Sequence, residues 1–263
     1  PPLGRLFSAC VFAVATCCAP LVCRPVPYAL RVVLALAAGM PFTGVLGWGI
    51  ARIAYHPLLN MSRLAILISA LGVSLALEET ARIVFGAGFS SYPDVLPKNG
   101  FDIGSARISY VQIAMIALSL LLMLTLYLFV HRTATGTAMR ALAMDRDAAR
   151  LMGINVERTI ILTFFLGSLL AGASGVMQGL YYIQINFIMG FIVGLRAFTA
   201  AVLGGIGNIP GAMVAGFLIG LIQSFSAGYI SSRWSDAIIF AVLIGVLTIK
   251  PTGLFGERVV EGV

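Results

Sequence analysis

Charge is what this sequence has least of. Only 10% of its 263 residues are Asp, Glu, Lys or Arg, against about 25% in a typical soluble domain, and 60% are hydrophobic. A water-soluble fold of this length needs a polar coat that these residues cannot supply, so the composition points to a polytopic membrane protein. Histidine occurs twice, at His56 and His131, both at the ends of apolar runs. With no H-E-x-x-H and no G-x-S-x-G string, the chain lacks the acid–base and nucleophile groups of a membrane-embedded enzyme. No Walker A string (G-x-x-x-x-G-K-S/T) occurs, so the chain does not bind ATP through a P-loop. Cysteine is confined to Cys10, Cys17, Cys18 and Cys23, without a C-x-x-C pair or a nearby histidine. That spacing argues against a metal site or a disulfide framework, and suits small apolar fillers in a membrane helix. No cofactor is indicated.

Acidic residues are scarce too: ten against seventeen basic ones, for a net charge of +7. Lys98 and Lys250 are the only lysines. The basic residues stand singly or at the ends of apolar runs, as orientation signals do, which does not fit a nucleic-acid partner.

What remains is apolar sequence cut into span-length pieces. A spanning helix needs about 20 apolar residues, and the charges mark out candidates at Leu6–Cys23, Tyr28–Ile50, Leu64–Val84 and Ile108–Val130. Leu6–Cys23 is long for a signal sequence and lacks an A-x-A cleavage site. Beyond the fourth span come Thr159–Tyr182, a break around Gln184–Asn186, a segment running through Arg196 to about Gly204, Gly211–Tyr229, and a short Asp236–Ile249 stopped by Lys250-Pro251. The prediction is an all-α bundle of about eight membrane segments, forming a single transmembrane domain over 1–263 in the lipid bilayer.

Between the fourth and fifth spans lies a charged island, His131–Arg158, with five arginines (Arg132, Arg140, Arg146, Arg150, Arg158) and three acids (Asp145, Asp147, Glu157). Ala51–Arg63, two spans away, carries Arg52 and Arg63. By the excess of positive charge both loops read as cytoplasmic, and parity then places the C-terminal tail in the cytoplasm. The intervening Gly86–Arg107 segment, nearly neutral and holding Pro93 and Pro97, reads as an outer loop. Within the island, Ala138–Met152 is free of Gly and Pro and rich in helix formers, so it is expected to be one helix ended by Gly153, with Asp147 and Arg150 paired across a turn. A short helix of mixed character in such a loop either lies on anionic lipid or fits a groove on a partner. Its acids favour the partner.

Small residues recur every fourth position at Gly167, Ala171, Gly175 and Gly179, and again at Ala212, Gly216, Gly220, Ser224 and Gly228. Each set predicts a smooth seam for close helix packing, either within the bundle or at a subunit interface or gate where helices slide. Leu203–Gly211 is the densest glycine cluster. Its spacing is not that of a dinucleotide site, and it predicts a tight turn with Pro210 opening the next helix. Polar residues stranded in apolar surroundings are candidates for a translocation pathway: Arg196 first, which either snorkels to the interface, pairs with an acid such as Glu78 or Glu79, or lines a wet route, then Gln178, Gln184, Asn186 and Thr199. An ion-coupled secondary transporter or channel for amino acids, urea or small amides is the main alternative, kept open by Glu78-Glu79 and the break at Gln184–Asn186.

Asp147-Ala148-Ala149-Arg150-Leu151-Met152-Gly153 resembles the E-A-A-x-x-x-G loop of ABC importer permeases, with Asp in place of Glu. The likeness widens to Gly47-Trp48-Gly49-Ile50 with Ala54-Tyr55-His56-Pro57, to Leu67–Gly72, to Leu151–Asn155, to Ala197–Ala212 and to Pro251–Gly256. These strings, in this order, resemble permeases of branched-chain amino acid importers from about Gly47 to the end. The N-F-A-H-G-like string that usually precedes them is absent, and the chain opens Pro1-Pro2 without Met, so the resemblance implies a chain without the usual N-terminal helix. It further implies a bacterial inner-membrane subunit that works with a second permease, two cytoplasmic ATP-binding subunits and a periplasmic substrate-binding protein. Residues 131–158 would then be the coupling loop, with Asp145, Asp147, Ala148, Ala149 and Gly153 at the ATPase contact. Arg196, Gln178, Asn186, Thr199, Gly216 and Gly220 would be pathway or packing residues.

Overall fold

The computed structural model describes residues 28–55, 63–86, 88, 90–91, 100–103, 106–186, 188–205, 207–250 and 252–255. Leu6–Cys23 and His56 lie outside them. The helices are α1 (Tyr28–Ile50, continued by a π-helical turn over Ala51–Tyr55), α2 (Arg63–Phe85), α3 (Tyr110–Arg132), α4 (Ala134–Met144), α5 (Arg146–Leu151), α6 (Val156–Tyr182), α7 (Met189–Gly204), α8 (Ile209–Tyr229) and α9 (Ser235–Ile249). Among the described residues, four helical stretches are long and apolar enough to cross a membrane: Val32–Ile53, Tyr110–Arg132, Val156–Tyr182 and Ile209–Tyr229. Their outward faces carry large apolar side chains such as Ile116, Leu121, Phe217 and Phe225, as expected where lipid is the solvent.

The described residues form two compact units, Pro1–Ile188 and Met189–Val263. In the first, α1 and α6 pack antiparallel. A methyl group added at Gly39 would lie 3.1 Å from Val176, and one at Gly44 would lie 2.8 Å from Phe165. At Gly47 it would collide with Ser168, and at Gly172 with Thr43. The close seam of α6 is therefore Ser168–Gly172–Val176, one residue round from the predicted stripe. Gly167 and Gly175 face open space, and Ala171 is exposed. Of that stripe, Gly179 is buried. Within the chain the close seam has the predicted period on the neighbouring face, because Ser and Val can share a seam with Gly. This packing also sets the Ala51–Tyr55 turn beside the N-terminal half of α6, so Arg52 and the charged island lie at the same end of the unit. Arg52 stacks 5.5 Å over the Trp48 ring.

At the opposite end, the expected outer loop holds short strands. Gly100–Ile103 and Ala106–Ser109 (β2 and β3) form a hairpin, and Ser90–Ser91 (β1) pairs antiparallel with Gln184–Ile185 (β4). The break after α6 is real. Ile183 sits in the left-handed region at φ 56°, a costly place for a β-branched residue, held here by the cap hydrogen bond of its N–H to the Gly179 carbonyl at 3.0 Å.

The second unit is a three-helix assembly of α7, α8 and α9 with a core at Ala200, Ile219 and Ile239. The Gly204–Gly211 turn forms as expected, with Gly205 and Gly207 at φ 101° and 98°. An exposed tail then docks on it. Leu254 N–H donates to the Leu203 carbonyl at 2.8 Å, and Phe255 N–H to the Gly204 carbonyl at 3.3 Å. Gly253, at φ +83°, fits because a Cβ would lie 2.8 Å from Gly205 N. The α8 stripe, like that of α6, is largely uncovered. Gly216 approaches Ala200 at ordinary contact, while Gly220 and Gly228 meet nothing. The buried face of α8 is Gly211, Ala215, Ile219 and Ser226.

Candidate functional site

The charged island is built from four caps. Thr133 ends α3 and begins α4: its hydroxyl donates to the Phe129 carbonyl at 2.6 Å and accepts from Gly136 N–H at 3.1 Å. Gly136 is required there, since a Cβ would run into the Val130 backbone. Asp145, with extended φ/ψ of −150° and 122°, both closes α4 and caps α5. Its carboxylate accepts from Asp147 N–H at 2.8 Å and Ala148 N–H at 3.2 Å. Gly153, at φ 80°, closes α5 with a paired terminator: its N–H reaches the Arg150 carbonyl and Ile154 N–H reaches that of Ala149, each at 3.0 Å. Asn155 then caps α6 through Arg158 N–H at 3.1 Å.

The single helix expected over Ala138–Met152 is thus corrected to two helices meeting at Asp145. Helix propensity favours continuity there, but an aspartate side chain that satisfies two otherwise unpaired N–H groups favours a new start. Asp147 and Arg150 are paired as expected, though loosely, at 3.9 Å with both side chains largely exposed. Ala149 is buried, 3% exposed, which explains a small residue at that place. Around it, three apolar side chains stand out of the protein: Met144 (90% exposed), Leu151 (88%) and Met152 (83%). An apolar cluster projecting from a charged loop suits contact with another protein.

The predicted pathway residues separate. Arg196 is paired with Asp236 of α9, not with Glu78 or Glu79. Its Nε donates to Asp236 Oδ1 at 3.0 Å, and Nη2 lies 2.8 Å from the same oxygen. Glu79 is taken by Arg82, at 2.7 Å. Asp236 stands in the first turn of another helix, and only the packing of α9 against α7 brings it to Arg196. Thr199 is buried, 1% exposed, and donates back to the Arg196 carbonyl at 2.7 Å, so it belongs to the interior of its unit. Gln178 and Asn186 differ: Oε1 of the first and Oδ1 of the second are buried with no hydrogen-bond partner, a condition that costs about 1–3 kcal/mol per group. Gln178 lines a cleft of about 480 Å³ between α3 and α6, together with Met115, Ser119, Met123, Ser174 and Tyr181. Sequence reasoning missed the cleft because its walls lie on helices far apart in the chain. Its one legible trace is Met115, Ser119, Leu122 and Leu126, which recur on one face of α3. Among the described residues, no cluster of His, Cys, Asp or Glu is placed to hold a metal ion.

Long apolar helices with lipid-facing exteriors, tied together by a capped, charged loop, define a multi-pass membrane protein. The family model described as branched-chain amino acid transport system, permease component, matches residues 4–247, and the chain belongs to that family. The match takes in residues 4–46, correcting the expectation that it starts near Gly47. Over 223 residues the chain is 42% identical to the high-affinity branched-chain amino acid transport system permease protein LivH of Escherichia coli, covering 82% of this chain and 72% of that one. It is 41% identical over 239 residues to the corresponding protein BraD of Pseudomonas aeruginosa, covering 89% and 78%. A fructose import permease protein, FrcC of Rhizobium meliloti, is 27% identical over 229 residues, covering 85% and 61%. No solved structure matches.

Proposed function

We propose that this chain is a permease subunit of an ATP-driven importer of branched-chain amino acids in a bacterial inner membrane. In this reading residues 1–263 form one permease domain of about eight membrane segments, with the C-terminus in the cytoplasm. It works with a second permease, two cytoplasmic ATP-binding subunits and a periplasmic binding protein. Residues 131–158 couple it to the ATPases. The observation that carries the proposal is the island itself. Capping at Thr133, Asp145, Gly153 and Asn155 fixes a short rigid element at one end of the first unit, and Met144, Leu151 and Met152 project from it. Docked in an ATPase groove, those side chains lose their water, and the caps let α4 and α5 move as a lever on α3 and α6. Asp145, Asp147 and Ala148 offer polar contacts at the rim, while Ala149 packs inward and Gly153 shapes the exit.

Reconstitution tests this reading. Proteoliposomes holding the assembled complex should accumulate leucine only when ATP is supplied on the ATPase side. Accumulation driven by a proton or sodium gradient, without ATPase subunits, would instead establish the ion-coupled alternative.

A further inference from the structure

The α3–α6 cleft is absorbed neither by packing nor by coupling. Its volume of about 480 Å³ falls within the roughly 300–1,000 Å³ range of small-molecule sites. The walls are aliphatic and thioether, from Met115, Leu122, Met123, Leu126, Leu170 and Met177. Methionine adapts its shape to a range of branched apolar groups. Among the described residues, no Asp, Glu, Lys, Arg or His lines it, and these walls offer no counter-charge to a charged side chain. Polar groups gather towards the Tyr182 end of α6. Gln178 contributes the buried, unpartnered Oε1, and the hydroxyls of Ser174, Tyr181 and Tyr182 make no hydrogen bond within the described residues. A cleft of this composition fits a molecule with an apolar branch at one end and both a donor and an acceptor at the other.

Its position suits delivery from outside. The charged island joins the C-terminus of α3 to the N-terminus of α6, while Ser119 precedes Arg132 by thirteen residues, about 20 Å along a helix. The cleft's polar end, at Gln178, Tyr181 and Tyr182 of α6, is therefore the end remote from the island.

We propose that this cleft is the outward subsite of the cargo route and takes a free amino acid with an aliphatic side chain. The side chain lies among the Met and Leu walls, the ammonium donates to Gln178 Oε1, and the Ser174 and tyrosine hydroxyls donate to the carboxylate. The assignment rests on the importer reading, but the protection arm of its test does not depend on ATP. In membranes bearing the full complex, Ser174→Cys is treated with a bulky methanethiosulfonate, with the parent chain and its four native cysteines as the baseline. Leucine, isoleucine and valine should slow modification of the introduced thiol, and lysine should not. In proteoliposomes the modified variant should lose leucine uptake, and Gln178→Leu should raise the half-saturating leucine concentration about tenfold or more. Protection without ATP-driven uptake would support the cleft and overturn the importer reading. Uptake that survives modification, with no protection and no shift in Gln178→Leu, would overturn the cleft and leave the importer reading standing; the cleft would then be a groove filled by lipid.

Discussion

Single side chains with two jobs hold the joints of this protein. Asn208 caps α8 by accepting from Gly211 N–H at 3.1 Å, and its Nδ2 donates to the Phe255 carbonyl at 3.0 Å. One amide thus fixes both the glycine turn and the tail docked on it. Asn208→Asp keeps the acceptor and loses the donor, so it should cost about 0.5–1.5 kcal/mol. Asn208→Ala loses both, and the missing cap adds about 1 kcal/mol. Thermal unfolding in detergent should rank the two variants in that order. Arg196 and Asp236 form a comparable joint between α7 and α9. With side chains 27% and 48% exposed, the pair lies between a surface and a buried ion pair. Asp236→Ala should therefore destabilise by about 1–3 kcal/mol, and the exchange Arg196→Asp with Asp236→Arg should recover part of the loss.

At the scale of elements, the fold was legible where a rule acts locally. Tyr28–Ile50 is helical to the residue, and α8 and α9 start within two residues of their predicted positions. The glycine turn and the stop at Gly153 follow from the need for positive φ. Legibility failed where two elements had to be known at once. The phase of the α6 seam depends on α1, whose Gly39, Thr43 and Gly47 choose Ser168, Gly172 and Val176 as partners. The partner of Arg196 depends on α9, and the cleft depends on α3 meeting α6. Asp145 is a different case: its capping role is local, and it overrides the helix propensity of the residues on either side. The seam yields a direct comparison. Gly172→Leu should overpack against Thr43 and destabilise the fold by about 1–3 kcal/mol. Gly167→Leu, facing open space, should leave the stability of the isolated chain unchanged within about 0.5 kcal/mol. Thermal melts of the two variants side by side check the assigned phase.

For the whole molecule, the account is one of division of labour. No Walker A string occurs in the sequence, while the charged island presents Met144, Leu151 and Met152 at one end of the first unit. The polar end of the α3–α6 cleft lies remote from the island. In the proposed reading a separate nucleotide-hydrolysing protein grips the island. Site-specific photocrosslinking in native membranes tests it most directly, with the crosslinker placed at Leu151 and, for contrast, at Tyr181. The account predicts that Leu151 forms an adduct with an ATP-binding subunit and that Tyr181 does not. Failure of Leu151 to capture any such subunit, or its modification by a membrane-impermeant reagent added outside, would contradict it.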